Sequence, residues 1–138
     1  MPQLDCAFLC DYARTEPSGV AHVVAAGIDT IHVQQVPTGR NLGMLIRITF
    51  SQGECGRPHR IEVFFRTTDG KELVRIEGVL EPIWDPTLPP GWPVGSLLAL
   101  NFGVPLPDFG VYSVEIMVDD SSAKSLNLRV VPLEPAQQ

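Results

Sequence analysis

The sequence predicts an all-β fold: an antiparallel, immunoglobulin-like sandwich of two sheets and eight or nine strands, forming one domain over residues 1–138. Three observations carry that reading. Apolar residues recur with period two in most of the apolar stretches, the mark of a strand with one face buried. Turn-forming residues punctuate the chain about every ten residues, the spacing of a sandwich or barrel. Near the C-terminus, Asp108, Gly110 and Tyr112 spell D-x-G-x-Y, in which a tyrosine at the head of a strand sends its hydroxyl back to the backbone a few residues upstream.

Taken in order, the strands fall at about 4–13, 20–26, 28–36, 42–51, 59–68, 72–80, 97–104, 111–119 and 125–132. The first, "LDCAFLCDYA", is apolar enough for a buried helix, but Leu4, Cys6, Phe8, Cys10 and Tyr12 alternate cleanly and favour a strand. In "GMLIRITF" the residues Met44, Ile46, Ile48 and Phe50 share one face, with Arg47 and Thr49 on the other. Ile61, Val63 and Phe65 do the same, as do Tyr112, Val114, Ile116 and Val118, and Leu126, Leu128 and Val130. Breakers lie between: Glu16-Pro17-Ser18-Gly19, Pro37-Thr38-Gly39, Thr68-Asp69-Gly70 and Asp119-Asp120-Ser121-Ser122. The Asp69-Gly70 pair suits a primed hairpin turn, which needs positive φ angles.

Composition narrows the function classes. With 44% apolar and 19% charged residues the chain is globular, and its net charge of −6, with the ten basic residues scattered, argues against nucleic acid. No uninterrupted apolar run reaches the ~20 residues of a membrane span, and the N-terminus has no basic segment leading an apolar core. Three cysteines, an odd number, suit a reducing compartment. A cytoplasmic protein is the expectation.

Candidate chemistry is sparse. Asp108-Phe109-Gly110 also spells the magnesium tripeptide of protein kinases, but the glycine-rich loop, strand lysine and catalytic-loop aspartate that it requires are missing. Cys6, Cys10, Cys55 and His59 could be counted as a zinc set, yet residues four apart on a strand are about 13 Å apart, too far to share one ion. The expectation is that Cys6 and Cys10 are buried as small apolar residues. Asp29, Asp69, Asp85 and Asp108 could feed a calcium site only if separate loops brought them together. His22, His32 and His59 stand near no G-x-S-x-G elbow and read as solvated strand or loop residues. Neither cofactor, metal nor catalytic residue is expected, and so no enzyme.

The segment "LDCAFLCDYARTEPSGVAHVVAAGIDTIHV" resembles the opening of a family of small bacterial proteins of unknown function, through Phe8, Leu9, Asp11, Ala13, Gly27, Asp29, Thr30 and Ile31. The proline-rich loop near the middle, the Gly-x-Tyr strand and the closing "RVVP" are similar too. The resemblance implies a compact one-domain β-sandwich and carries no activity or site.

The most distinctive stretch is "EPIWDPTLPPGWPVGS", residues 81–96, with five of the thirteen prolines and both tryptophans. Such proline density fixes an extended path outside the central strands, and a preordered loop loses little entropy on docking. Trp84 and Trp92 are therefore the candidate partner contacts, and Asp108, Gly110 and Tyr112 the structural corner. The function expected is a protein-interaction or assembly module, self-associating or bound to a protein partner; the alternative is a small-ligand or carbohydrate-binding sandwich.

Overall fold

The computed structural model describes residues 2–133. The fold is all-β and immunoglobulin-like, with ten strands among the described residues: β1 (Gln3–Cys10), β2 (Tyr12–Thr15), β3 (Ala21–Val24), β4 (Thr30–Val33), β5 (Thr38–Phe50), β6 (His59–Arg66), β7 (Glu72–Leu80), β8 (Val94–Leu106), β9 (Gly110–Val118) and β10 (Ser121–Pro132). One sheet has the order β1-β5-β8 and the other β4-β10-β9-β6-β7, while β2 and β3 form a separate hairpin. All pairs are antiparallel except β4 with β10, a departure from the wholly antiparallel expectation. After β5 the chain crosses to the larger sheet, returns through residues 81–93 to β8, and crosses again to β9, the Greek-key traffic of such sandwiches.

Alternation places the core where expected over most of the chain. Met44, Ile46, Ile48 and Phe50 of β5 meet Ile61, Val63 and Phe65 of β6, Tyr112, Val114, Ile116 and Val118 of β9, and Leu128 and Val130 of β10, all essentially buried. The exception is the first predicted strand. It is two strands broken at Asp11, and its pairing with β5 slips between Leu4 and Cys6. A bulge of one residue inverts every face beyond it. Ala7 and Leu9 thus enter the core, whereas Phe8 and Cys10 turn to the outer surface of the small sheet.

That outer surface is covered. Cys10, Ala13 and Leu45 form a second buried cluster, packed against Phe8, Ala21, Val23, Leu97 and Ala99. The β2–β3 hairpin is its lid, held by Asn101 of β8, whose amide donates to the Ala13 carbonyl at 2.8 Å and accepts from the Ala13 N–H at 3.1 Å. Gly43 makes the approach possible: a Cβ there would stand 2.9 Å from Cys10 Sγ and 3.0 Å from Tyr12 Cα. Of the cysteines expected to be buried, Cys10 is, but Cys6, at the bulge, is only half-buried.

Two turn signals resolve differently from the sequence expectation. Thr38 and Gly39 do not end a segment but pair with Leu106 and Pro105, extending β5 to thirteen residues. In the β6–β7 hairpin only Gly70 has positive φ, with its N–H on the Thr67 carbonyl, so the connection is a longer turn closed by a left-handed glycine. The primed two-residue turn occurs instead at Asp119-Asp120, where φ is 49° and 65°.

The corner between β8 and β9 is closed through the backbone. The Tyr112 hydroxyl donates to the Asp108 carbonyl at 2.6 Å and accepts from the Asp108 N–H at 3.0 Å. Asp108 thus serves through its main chain. Gly110 has φ 135°, which a side chain rarely tolerates, and the Thr68 hydroxyl reaches across from the neighbouring hairpin to the Val111 carbonyl. Because Tyr112 is buried, Tyr112→Phe should cost about 1–2 kcal/mol in urea denaturation with an unchanged m-value. A cost near zero would mean that the hydroxyl does not latch the strand.

Candidate functional site

The loop from Glu81 to Pro93, joining the two sheets, is built as two successive tight turns. The Leu88 N–H donates to the Asp85 carbonyl, and the Trp92 N–H to the Pro89 carbonyl. Asp85 also accepts from the Thr87 N–H at 2.9 Å and the Thr87 hydroxyl at 2.6 Å, and those bonds to Thr87 hold its carboxyl below the usual range. Gly91 supplies the positive φ, 84°, that aims Trp92 outward. At its entrance the loop is anchored by Gly56 N–H on the Pro82 carbonyl.

The two tryptophans differ in environment. Trp92 is 59% exposed and Trp84 is half-buried, while Ile83 beside it stands 81% exposed. Both tryptophans line a hollow of about 320 Å³, with Gln3, Thr49, Ser51, Gln52 and Glu54 supplying polar groups and Phe50 its floor. Trp92 also walls a second hollow of about 510 Å³, whose other side is the tip of the β2–β3 hairpin at Thr15, Glu16 and Gly19. Arg47 crosses this second hollow, paired with Asp5. Gly95 leaves room for its guanidinium, since a Cβ there would come 2.5 Å from Nη2. Trp92 is therefore a ridge between two concavities.

Behind the first hollow lies an ion pair between a buried histidine and a partly exposed aspartate that the sequence reading missed. His59, expected to be solvated, is 3% exposed. Its Nδ1 lies 2.6 Å from Asp119 Oδ2 and its Nε2 2.7 Å from the Glu54 carbonyl. A carboxylate and a carbonyl both only accept, so both ring nitrogens donate and the ring is the imidazolium. Burial works to lower its pKa, but the Asp119 carboxylate and the Glu54 carbonyl outweigh burial, and the pKa is raised above the ordinary 6.5. Burial works to raise Asp119; the bonds from His59 and the Arg60 N–H prevail, holding it below 3.8. The pair ties the 3-10 turn Gln52–Glu54 to the β9–β10 turn, and Phe50 packs on the imidazole at 4.7 Å between centroids. Ser51 completes the clamp by donating its N–H and hydroxyl to the Glu54 carboxylate at 2.8 and 2.9 Å.

The other candidate residues do not converge. Asp69 and Asp108 occupy connections at the end of the sandwich away from the tryptophan loop, where Asp85 sits, and Asp29 precedes β4. Cys10 is enclosed in the second cluster, and burial pushes its thiol up. Among the described residues no group of three His, Cys, Asp or Glu side chains gathers in ligand geometry. No helix among them is long and apolar enough to cross a membrane.

A family model described as a family of unknown function, DUF6941, matches residues 5–131. Among solved structures, the chain is similar to the crystal structure of an immunoglobulin-like protein from Pseudomonas aeruginosa, at 17% identity and a TM-score of 0.46, over 95% of this chain and 97% of that one. No curated protein matches.

The clamp makes stability depend on pH from both sides. The raised pKa of His59 gives a contribution fully present below pH 6.5 and lost as pH rises through its folded value. The lowered pKa of Asp119 gives one present above pH 3.8 and lost as pH falls through its folded value. Denaturation free energy should therefore fall on the alkaline side of pH 6.5. His59→Gln should remove that slope and cost about 1–2 kcal/mol at pH 6, by breaking the charged bond to Asp119 and the bond to the buried Glu54 carbonyl. An alkaline limb unchanged in the variant would refute the assignment.

Proposed function

The chain belongs to DUF6941, a family of unknown function, so no activity comes to it from its relatives, and we propose that it is a non-enzymatic module that docks a protein partner through the tryptophan loop. The observation that carries this reading is Trp92, 59% exposed on a loop already held in two hydrogen-bonded turns. Exposing a tryptophan to water costs free energy that docking recovers, and a loop with its turns closed loses little further entropy when it binds. Tryptophan is also enriched among residues whose truncation costs an interface the most. The hollows on either side of the ring offer complementary seats for partner side chains.

A second reading rests on the smaller hollow. Its volume, about 320 Å³, lies at the low end of ligand pockets. Two indole rings beside hydroxyl and amide groups can stack on a sugar ring and hydrogen-bond its hydroxyls. Tryptophan fluorescence during titration with a panel of neutral glycans separates the readings: a saturable change assigns the hollow to a carbohydrate.

For the protein-partner reading, Trp92→Ala should weaken capture of a partner recovered with the intact chain by about 2 kcal/mol, roughly 30-fold in Kd. Its melting temperature should stay unchanged, because the ring packs mostly against solvent. Equal binding by the variant and the parent would discard the loop as the contact.

A further inference from the structure

Of the four strands at the edges of the two larger sheets, three carry a feature along their length that discourages pairing with another chain. β1 is bulged, β8 contains Pro105, and β4 is only four residues long. The fourth, β7, is irregular only at its start, where its pairing with β6 shifts between Glu72 and Val74. From Val74 to Leu80 it runs unbroken, contains no proline, and bonds β6 on one side only. Its core-facing side chains Val74, Ile76 and Leu80 are only half-buried, whereas their counterparts on β6 are closed over. Val79 is 66% exposed, and a Cβ placed on Gly78 would meet nothing.

We propose that β7 is the interface of a symmetric homodimer, in which the two copies of the strand pair antiparallel about Ile76 and join two five-stranded sheets into one of ten strands. The charges on β7 select this register. Antiparallel pairing keeps each residue opposite one on the same face of the sheet. With the two-fold axis at Ile76, the regular stretch from Val74 to Gly78 is paired in full, and Arg75 stands opposite the second copy's Glu77 on both sides of the axis. A slip of two residues, the smallest that preserves the faces, sets Arg75 against Arg75 or Glu77 against Glu77. Opposite charges directly across a strand pair stabilise it, and like charges oppose it. On the inner face Ile76 meets its own copy, and Val74 meets Gly78, which has no side chain to collide with it.

Within one chain the same groups are already drawn into a row. Arg75 contacts Glu77 at 2.7 Å and Glu62 at 2.8 Å, and Arg60 contacts Glu77 at 3.0 Å. A second copy extends that alternating row across the axis and brings no unmatched charge to it. The pairing also shields the half-covered aliphatic side chains at the seam.

The test is a charge swap on the full chain, read by size-exclusion chromatography with light scattering. The parent should be a dimer. Glu77→Arg alone places arginine against arginine, Arg75→Glu alone places glutamate against glutamate, and each should weaken dimerisation by about tenfold or more. An equimolar mixture of the two should recover a heterodimer, since every facing pair is then of opposite sign. As an independent readout, Ile76→Cys should form a disulfide-linked dimer on mild oxidation that the parent does not, because paired Cα atoms lie about 4.5–5.5 Å apart, within disulfide reach. Trp92→Ala should leave the dimer intact, so failure here is distinct from failure of the docking loop. A monomeric parent, a dimer indifferent to both charge variants, or a mixture that fails to recover would each overturn the proposal.

Discussion

A sheet of three strands cannot cover a sheet of five. At strand spacings near 4.8 Å the first spans about 10 Å and the second about 19 Å, so the larger sheet must overhang. The inward residues of β6 and β9, which sit over the smaller sheet, are closed from solvent, whereas those of β7 are half-open. β8 shows the same opening from the opposite side, at Leu98, Leu100 and Phe102, and the contact of Phe102 with Phe65 bridges the seam. The open edge at β7 follows from this mismatch, and so does the need for a long connection. The chain must travel from the margin of one sheet to the margin of the other, and the proline-tryptophan loop makes that journey.

The narrow sheet has a second consequence. Its middle strand, β5, faces the core through Met44, Ile46 and Ile48, and its other face would be bare at Leu45 without a cover. The β2–β3 hairpin supplies it. The bulge near Asp5 turns Phe8 and Cys10 toward this cover, and Gly43 with Asn101 lets the hairpin sit close and satisfies its backbone. β1 and β4 end up in different sheets because the hairpin is inserted between them and lies on the outside.

The strands were legible where one face is buried and the other wet, as in β6 and β9. The N-terminal stretch was misread because its alternation is perfect in sequence while the bulge exchanges its faces in space. Leu45, an apolar residue on the face assigned to Arg47 and Thr49, was the available sign that this face is covered too. The D-x-G-x-Y spacing is local, and the hydroxyl-to-backbone geometry could be expected from it. His59 gave no such sign: its carboxylate partner is 60 residues away, and only the crossing of β5 to β6 beside the β9–β10 turn brings them together. The tryptophan loop was legible as composition, but which ring faces solvent depends on two turns and the φ of Gly91, which composition does not encode.

The tryptophan loop and the open edge are also linked by geometry. The loop begins where β7 ends, so antiparallel pairing of two β7 strands sends the two loops to opposite ends of the joined strands. Nine residues of strand separate those ends by about 30 Å. A dimer joined at β7 would then carry two Trp92 ridges pointing away from one another, unable to meet on a single small site. Such a particle gains from bivalence only on a partner that is itself repeated or extended at about that spacing, because effective concentration collapses when the span cannot be bridged. A monomeric partner would see two independent sites of equal affinity. The arrangement suits bridging two partners better than gripping one.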